Sequence, residues 1–86
     1  MTVYALPNDR GQARLGLAIS RKAARRAVDR NRIKRLVRET FRHHRAELGA
    51  MDLVVVARAG IAELSAARLR TQLLRHWRRL APCKDS

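Results

Sequence analysis

The sequence predicts an α+β domain, a two-layer sandwich in which a small mixed β-sheet packs against a basic helix and a C-terminal helix. Three observations predict it. Residues 15–20 alternate with a period of two, residues 29–48 repeat with a helical period, and Leu53-Val54-Val55-Val56 is an apolar run of strand length. Strand, helix and strand in that order imply a parallel pair joined by a crossover helix, and residues 65–80 supply a second amphipathic helix. At 86 residues the chain suffices for one domain, residues 1–86, with a modest core.

Residues 2–6 are β-prone and are followed by Pro7-Asn8-Asp9-Arg10-Gly11, a cluster of turn formers, which reads as a strand and a hairpin loop. In the next strand Leu15, Leu17 and Ile19 point one way and Gly16, Ala18 and Ser20 the other. The bare side suits either a closely packed covering helix or an extended nucleic acid strand. From about Ala24, and firmly from Asp29, the spacing becomes helical. Ile33, Leu36, Val37, Thr40, Phe41, His44 and Leu48 share one side, and Gly49 marks the end. Residues 53–57 then predict a central, buried strand parallel to residues 15–20. Ser65 is placed to cap the last helix, with Leu64 and Leu69 flanking it as a hydrophobic staple; Ala66, Leu69, Leu73, Trp77 and Leu80 form its apolar stripe, and Pro82 limits its continuation.

Charge is the most informative property. The formal net charge is +13, and eleven of the twenty Lys and Arg residues lie between Ser20 and Arg45, against only Asp29 and Glu39. Asn31, Arg35, Arg38 and Arg42 recur at helical offsets opposite the apolar side, flanked by Arg32, Lys34 and Arg45, and Arg21, Lys22, Arg25 and Arg26 precede them. A solvated helix face normally mixes signs, because like charges one turn apart cost a few tenths of a kcal/mol per pair. A ridge of cations without compensating acids implies an anionic partner opposite, and seventeen arginines, able to grip phosphate with two parallel donors, favour a nucleic acid.

Other chemistries find little support. The seven acids are scattered without the paired spacing of a two-metal nuclease, Ser20 and Ser65 have no triad partners, and no Gly-rich phosphate loop occurs. His43 and His44, adjacent on a helix, point about 100° apart and cannot share a metal. The lone Cys83 near the C-terminus permits no intramolecular disulfide and reads as a free thiol on a frayed tail. No apolar run spans a bilayer and no signal-type segment opens the chain, so a cytoplasmic protein with no membrane partner and no small-molecule substrate is predicted. Trp77 reads as core; Tyr4, on a short strand, reads as a platform on which single-stranded bases could stack. These features alone leave open a general RNA-binding module or a DNA-binding domain, although a strand directly after the basic helix argues against a helix-turn-helix.

Ser20-Arg21-Lys22, Arg25-Arg26-Ala27, Arg30-Asn31-Arg32-Ile33-Lys34-Arg35-Leu36, Arg38-Glu39 and Phe41-Arg42 together closely resemble the protein subunit of bacterial ribonuclease P. The resemblance extends through Arg14-Leu15-Gly16-Leu17 before them and Asp52-Leu53-Val54-Val55-Val56-Ala57-Arg58 after them. It implies a ribonucleoprotein endonuclease of tRNA processing, in which the RNA subunit removes the 5′ leader of precursor tRNA with bound magnesium ions. The small protein would bind the catalytic RNA and the leader, holding no cofactor itself. Arg30, Asn31, Arg32, Lys34, Arg35 and Arg38 would contact the catalytic RNA, Arg21, Lys22, Arg25 and Arg26 would extend that edge, and Tyr4 would lie near the leader. The family's parallel crossover is left-handed, against the right-handed habit of about 98% of such units. Family members also carry a helix ahead of the first strand, whereas Met1 opens here almost directly on a strand, so the resemblance implies an N-terminally short form.

Overall fold

The computed structural model describes residues 1–81, ordered as β1 (Thr2–Pro7), β2 (Arg14–Ala18), α1 (Ala27–Leu48), β3 (Met51–Val56), a 3-10 turn (Ile61–Glu63) and α2 (Ala66–Leu80). The expectations for Pro82 and Cys83 lie outside the described residues.

β3 occupies the centre of the sheet, parallel to β2 and antiparallel to β1. The parallel pair joined by a crossover helix is as the strand-helix-strand order predicts. The hairpin is not: β1 and β2 are the two edges with β3 between them, so residues 8–13 cross the end of the sheet instead of turning between neighbours. Asn8 organises this crossing. Its Nδ2 donates to Asp52 Oδ1 at 2.8 Å and to the Gln12 carbonyl at 3.2 Å, while its Oδ1 accepts from the Arg10 N–H at 3.0 Å. Turn residues thus announced a loop correctly, but not which strand would pair with which. The most apolar strand, satisfied by hydrogen bonds along both edges, took the centre.

Register separates the two sheet faces. Leu15 and Leu17 stand opposite Leu53 and Val55, and this face joins the core. Leu53 and Val55 are each 1% exposed, whereas Val54 between them is 40% exposed. The prediction of a strand buried on both sides is therefore corrected. One helical layer covers one face of three strands, and nothing among the described residues covers the other.

The covering layer is α1 and α2. Ile33, Val37, Phe41 and Leu48 of α1 share one core with Leu69, Leu73 and Trp77 of α2, all buried. Trp77, read as core, is core: its ring meets Phe41 edge-on at a centroid distance of 5.8 Å, and its Nε1 donates to Thr40 Oγ1 at 3.0 Å. The Thr40 hydroxyl, 3.1 Å from the carbonyls of Leu36 and Val37, needs that tryptophan to complete its bonding. α1 ends where Gly49 takes φ 75°, a left-handed value that a residue without Cβ adopts freely.

α2 begins as predicted. Ser65 Oγ accepts from the Arg68 N–H at 3.2 Å, and Leu64 packs against the core beside the buried Leu69. Ala66 is exposed, so the buried stripe starts one turn later than its spacing suggested. Ser65→Ala removes the acceptor for one of the four N–H groups that a helix start leaves orphaned. It is expected to lower stability by about 1 kcal/mol, seen as a lower urea midpoint with an unchanged slope.

Candidate nucleic-acid interface

The apolar side of α1 is held against α2, β2 and the 3-10 turn, which fixes its opposite side toward solvent. There Asn31, Lys34, Arg35, Arg38, Glu39 and Arg42 line an open groove of about 540 Å³. Five of the residues singled out from the sequence are thus brought together along more than two turns of one rigid helix. Lys34, Arg35, Arg38 and Arg42 form no ion pair among the described residues. The single acid in the groove, Glu39, is drawn instead toward Arg70 of α2, whose Nη2 lies 3.6 Å from its Oε1. The groove therefore presents four uncompensated cations and the Asn31 amide, a surface that attracts phosphates over a Debye length of about 8–10 Å.

Arg21, Lys22, Arg25 and Arg26 reach solvent because the segment bearing them is anchored by what lies between them. Ala23 and Ala24 are buried, and both donate their N–H groups to the Ser20 carbonyl at 3.1 Å, so the four cations stand outward in the turn before α1. Arg30 ties this turn to the helix: its Nη1 donates to the carbonyls of Ala24 and Arg25, both at 2.9 Å. Arg32 is also engaged, its guanidinium donating to Ala62 O at 3.1 Å and Leu64 O at 3.4 Å. In Arg30-Asn31-Arg32 the central Asn31 faces the groove, while the two arginines pin backbone on either side of it. Both are only partly exposed. Arg45 behaves likewise, its Nε donating to Ala13 O at 3.1 Å.

Tyr4 is not on this groove. It lies on the uncovered sheet face, 56% exposed, in the row Tyr4, Val54, Gly16 across the three strands. A Cβ placed on Gly16 would meet only Leu53 O and Val54 Cγ2, each at 3.7 Å, an ordinary contact. The bare residues of β2 are therefore not there to admit a covering helix; they leave an open floor beside Tyr4. Arg14 and Asp52, 4.0 Å apart, border a depression of about 220 Å³ at this floor.

Of the two histidines, His44 Nδ1 lies 3.3 Å from Glu47 Oε2, and His43 is exposed. Among the described residues no three His, Cys, Asp or Glu side chains gather at one point, and no helix is long and apolar enough to cross a membrane. Sequence reasoning overlooked Arg58, whose Nε donates to Thr2 Oγ1 at 2.7 Å, and the arginines of α2, a helix of fifteen residues without one acid. That missing acid was a usable signal.

Comparison with known proteins places this geometry. A family model described as Ribonuclease P matches residues 1–81. A ribonuclease P protein component from Thioalkalivibrio sulfidiphilus is 57% identical over 85 residues, covering 98% of this chain and 71% of the relative. One from Methylococcus capsulatus is 54% identical over 77 residues, covering 90% of this chain and 60% of the relative. The chain thus spans roughly two thirds of the length of such relatives. Among solved structures, the Staphylococcus aureus RNase P protein superposes with a TM-score of 0.79 at 33% identity, covering 91% of this chain and 71% of that one. The Thermotoga maritima RNase P protein, solved with 1-(4-fluorophenyl)-2-thiourea, gives 0.79 at 32% identity, covering 90% and 76%. A matching family model over nearly the whole chain, close relatives and the same α+β layout agree, and the chain belongs to the family of ribonuclease P protein components.

Proposed function

We propose that this chain is the protein subunit of a bacterial ribonuclease P, binding the catalytic RNA subunit along α1 and the 5′ leader of precursor tRNA on the open sheet face. The observation that carries the reading is the groove of Asn31, Lys34, Arg35, Arg38 and Arg42, left without compensating acids in a chain of this family. Hydrolysis, with its magnesium ions, belongs to the RNA; the protein supplies binding free energy. Cations fixed on a helix need no reorganisation to meet phosphates, and by screening the repulsion between two RNAs they raise substrate affinity and lower the magnesium needed.

Arg21, Lys22, Arg25 and Arg26 extend the same phosphate path beyond the start of α1. Arg30 and Arg32 act mainly by holding the two flanking segments in place, with their remaining N–H groups turned to RNA. Tyr4 offers a ring to an unpaired base, worth about 1–3 kcal/mol where stacking is complete.

The test is cleavage of precursor tRNA by a bacterial ribonuclease P RNA at low magnesium, with and without this chain. Added chain is expected to restore the cleavage lost on lowering magnesium. A chain that binds the RNA yet leaves the magnesium dependence unmoved would fit a general RNA-binding module and refute the reading.

A further inference from the structure

The groove on α1 leaves a second concentration of charge unused. α2 carries Arg68, Arg70, Arg75, Arg78 and Arg79 and no acid. Taking the buried Leu69, Leu73 and Trp77 as the inward direction, a period of 3.6 residues puts Arg68, Arg75, Arg78 and Arg79 on the outward side, all exposed. Arg70 alone is turned toward α1, where it meets Glu39. This pair lies between the groove of α1 and the outward face of α2, so the two sets of cations form separate surfaces.

The outward face has the makings of a phosphate surface rather than a solvated one. Arg75 is one turn from both Arg78 and Arg79, with no carboxylate on the helix to offset their repulsion. Arg68 stands in the first turn, where the helix dipole disfavours a cation. Between the arginines lie Thr71 and Gln72, which with Ala67, Arg68 and Arg75 line a shallow depression of about 330 Å³. Small and polar side chains there leave room for a backbone strand to approach the guanidinium groups. Arg79 is already oriented, its Nη2 lying 3.1 Å from His76 Nδ1. Burial and the neighbouring Arg79 lower the pKa of His76, favouring the neutral ring.

We propose that the outward face of α2 is a second RNA-binding surface, through which one chain holds a second phosphate backbone while α1 holds the first. The idea rests on RNA being the partner of α1, and its occupant is the backbone of another RNA segment, read by charge without base contacts. One small protein would then bridge two helices of a folded RNA, or an RNA and its substrate, across the Glu39–Arg70 pair.

A bridging assay tests it. Two identical RNA hairpins, one labelled with a fluorescence donor and one with an acceptor, are mixed in excess over the chain. Energy transfer is expected with the unsubstituted chain. Arg68→Gln/Arg75→Gln/Arg78→Gln/Arg79→Gln should abolish transfer while changing the affinity for a single hairpin by less than about tenfold at moderate salt. The same four positions changed to Lys should keep transfer, and circular dichroism of each variant checks the fold; Arg75→Gln/Arg79→Gln serves if the fourfold change unfolds the chain. Tight binding of one hairpin without transfer, or transfer that survives the Gln variants, would overturn the second surface and leave the α1 reading intact. Failure to bind any hairpin would overturn both. Displacement of the α2-bound hairpin by polyglutamate at lower charge concentration than by RNA would assign the face to an acidic protein and overturn the RNA assignment.

Discussion

Trp77→Ala is expected to lower folding stability by about 3–5 kcal/mol, the cost of emptying a large buried site that its neighbours cannot refill. At about 0.05–0.15 kcal/mol per residue, an 86-residue domain holds only roughly 4–13 kcal/mol in all, and a formal charge of +13 works against it. A large share of the margin therefore hangs on one side chain. Trp77 is 1% exposed, touches Phe41 edge-on and donates to Thr40, so it joins α2 to α1 by packing and by a hydrogen bond at once. Trp77→Phe separates the two contributions. It keeps an aromatic ring against Phe41 but loses the N–H and part of the indole's volume, leaving the Thr40 hydroxyl able to donate to the carbonyl of Leu36 or Val37. That variant is expected to lose about 1–2 kcal/mol. Urea unfolding followed by far-ultraviolet circular dichroism measures both, since Trp77 is the sole tryptophan and its fluorescence goes with it. A loss for Trp77→Ala of no more than the Trp77→Phe value would mean that the helical layer is not held together there.

The sequence carried the fold where periodicity is one-dimensional and failed where partners are chosen in space. A 3.6 repeat from Ile33 to Leu48 needs no knowledge of what it packs against, so the side of α1 bearing the cations was readable in advance. Strand pairing is different: Pro7-Asn8-Asp9-Arg10-Gly11 signals a reversal but cannot say that β3 will slip between β1 and β2. Likewise Leu53-Val54-Val55-Val56 reads as buried throughout, and only the count of covering layers shows that Val54 faces out. The same limit applies to the interface. Arg35 and Arg30 look equivalent in a charge run, yet one lines the groove and the other holds two carbonyls of the preceding turn. Nothing in residue type separates them, because a guanidinium serves backbone carbonyl and phosphate alike. Tyr4 was identified as a strand-borne stacking platform, but its exposure and its neighbours Val54 and Gly16 come from the register of two other strands.

That division of the arginines has its own test, and the largest functional effect belongs to it. The triple variant Arg35→Ala/Arg38→Ala/Arg42→Ala should lower the slope of log affinity against log salt for ribonuclease P RNA by about 2–3 units, at roughly 0.7–0.9 per lost phosphate contact. Over a fourfold rise in salt this amounts to about 20- to 40-fold less salt sensitivity, with weaker binding throughout the lower range. None of the three donates to a carbonyl or pairs with an acid among the described residues, so thermal stability should hold or rise slightly as self-repulsion falls. Arg30→Ala should behave oppositely. Removing a cation that holds the Ala24 and Arg25 carbonyls should cost about 1–3 kcal/mol of stability, while the salt slope moves by no more than about one unit. The contrast matters more than either value, because loss of folding alone would weaken RNA binding without changing its salt dependence in the folded fraction. An unchanged slope in a folded triple variant would remove α1 as the phosphate surface, and with it the reason this sequence tolerates so many like charges on one side of a helix.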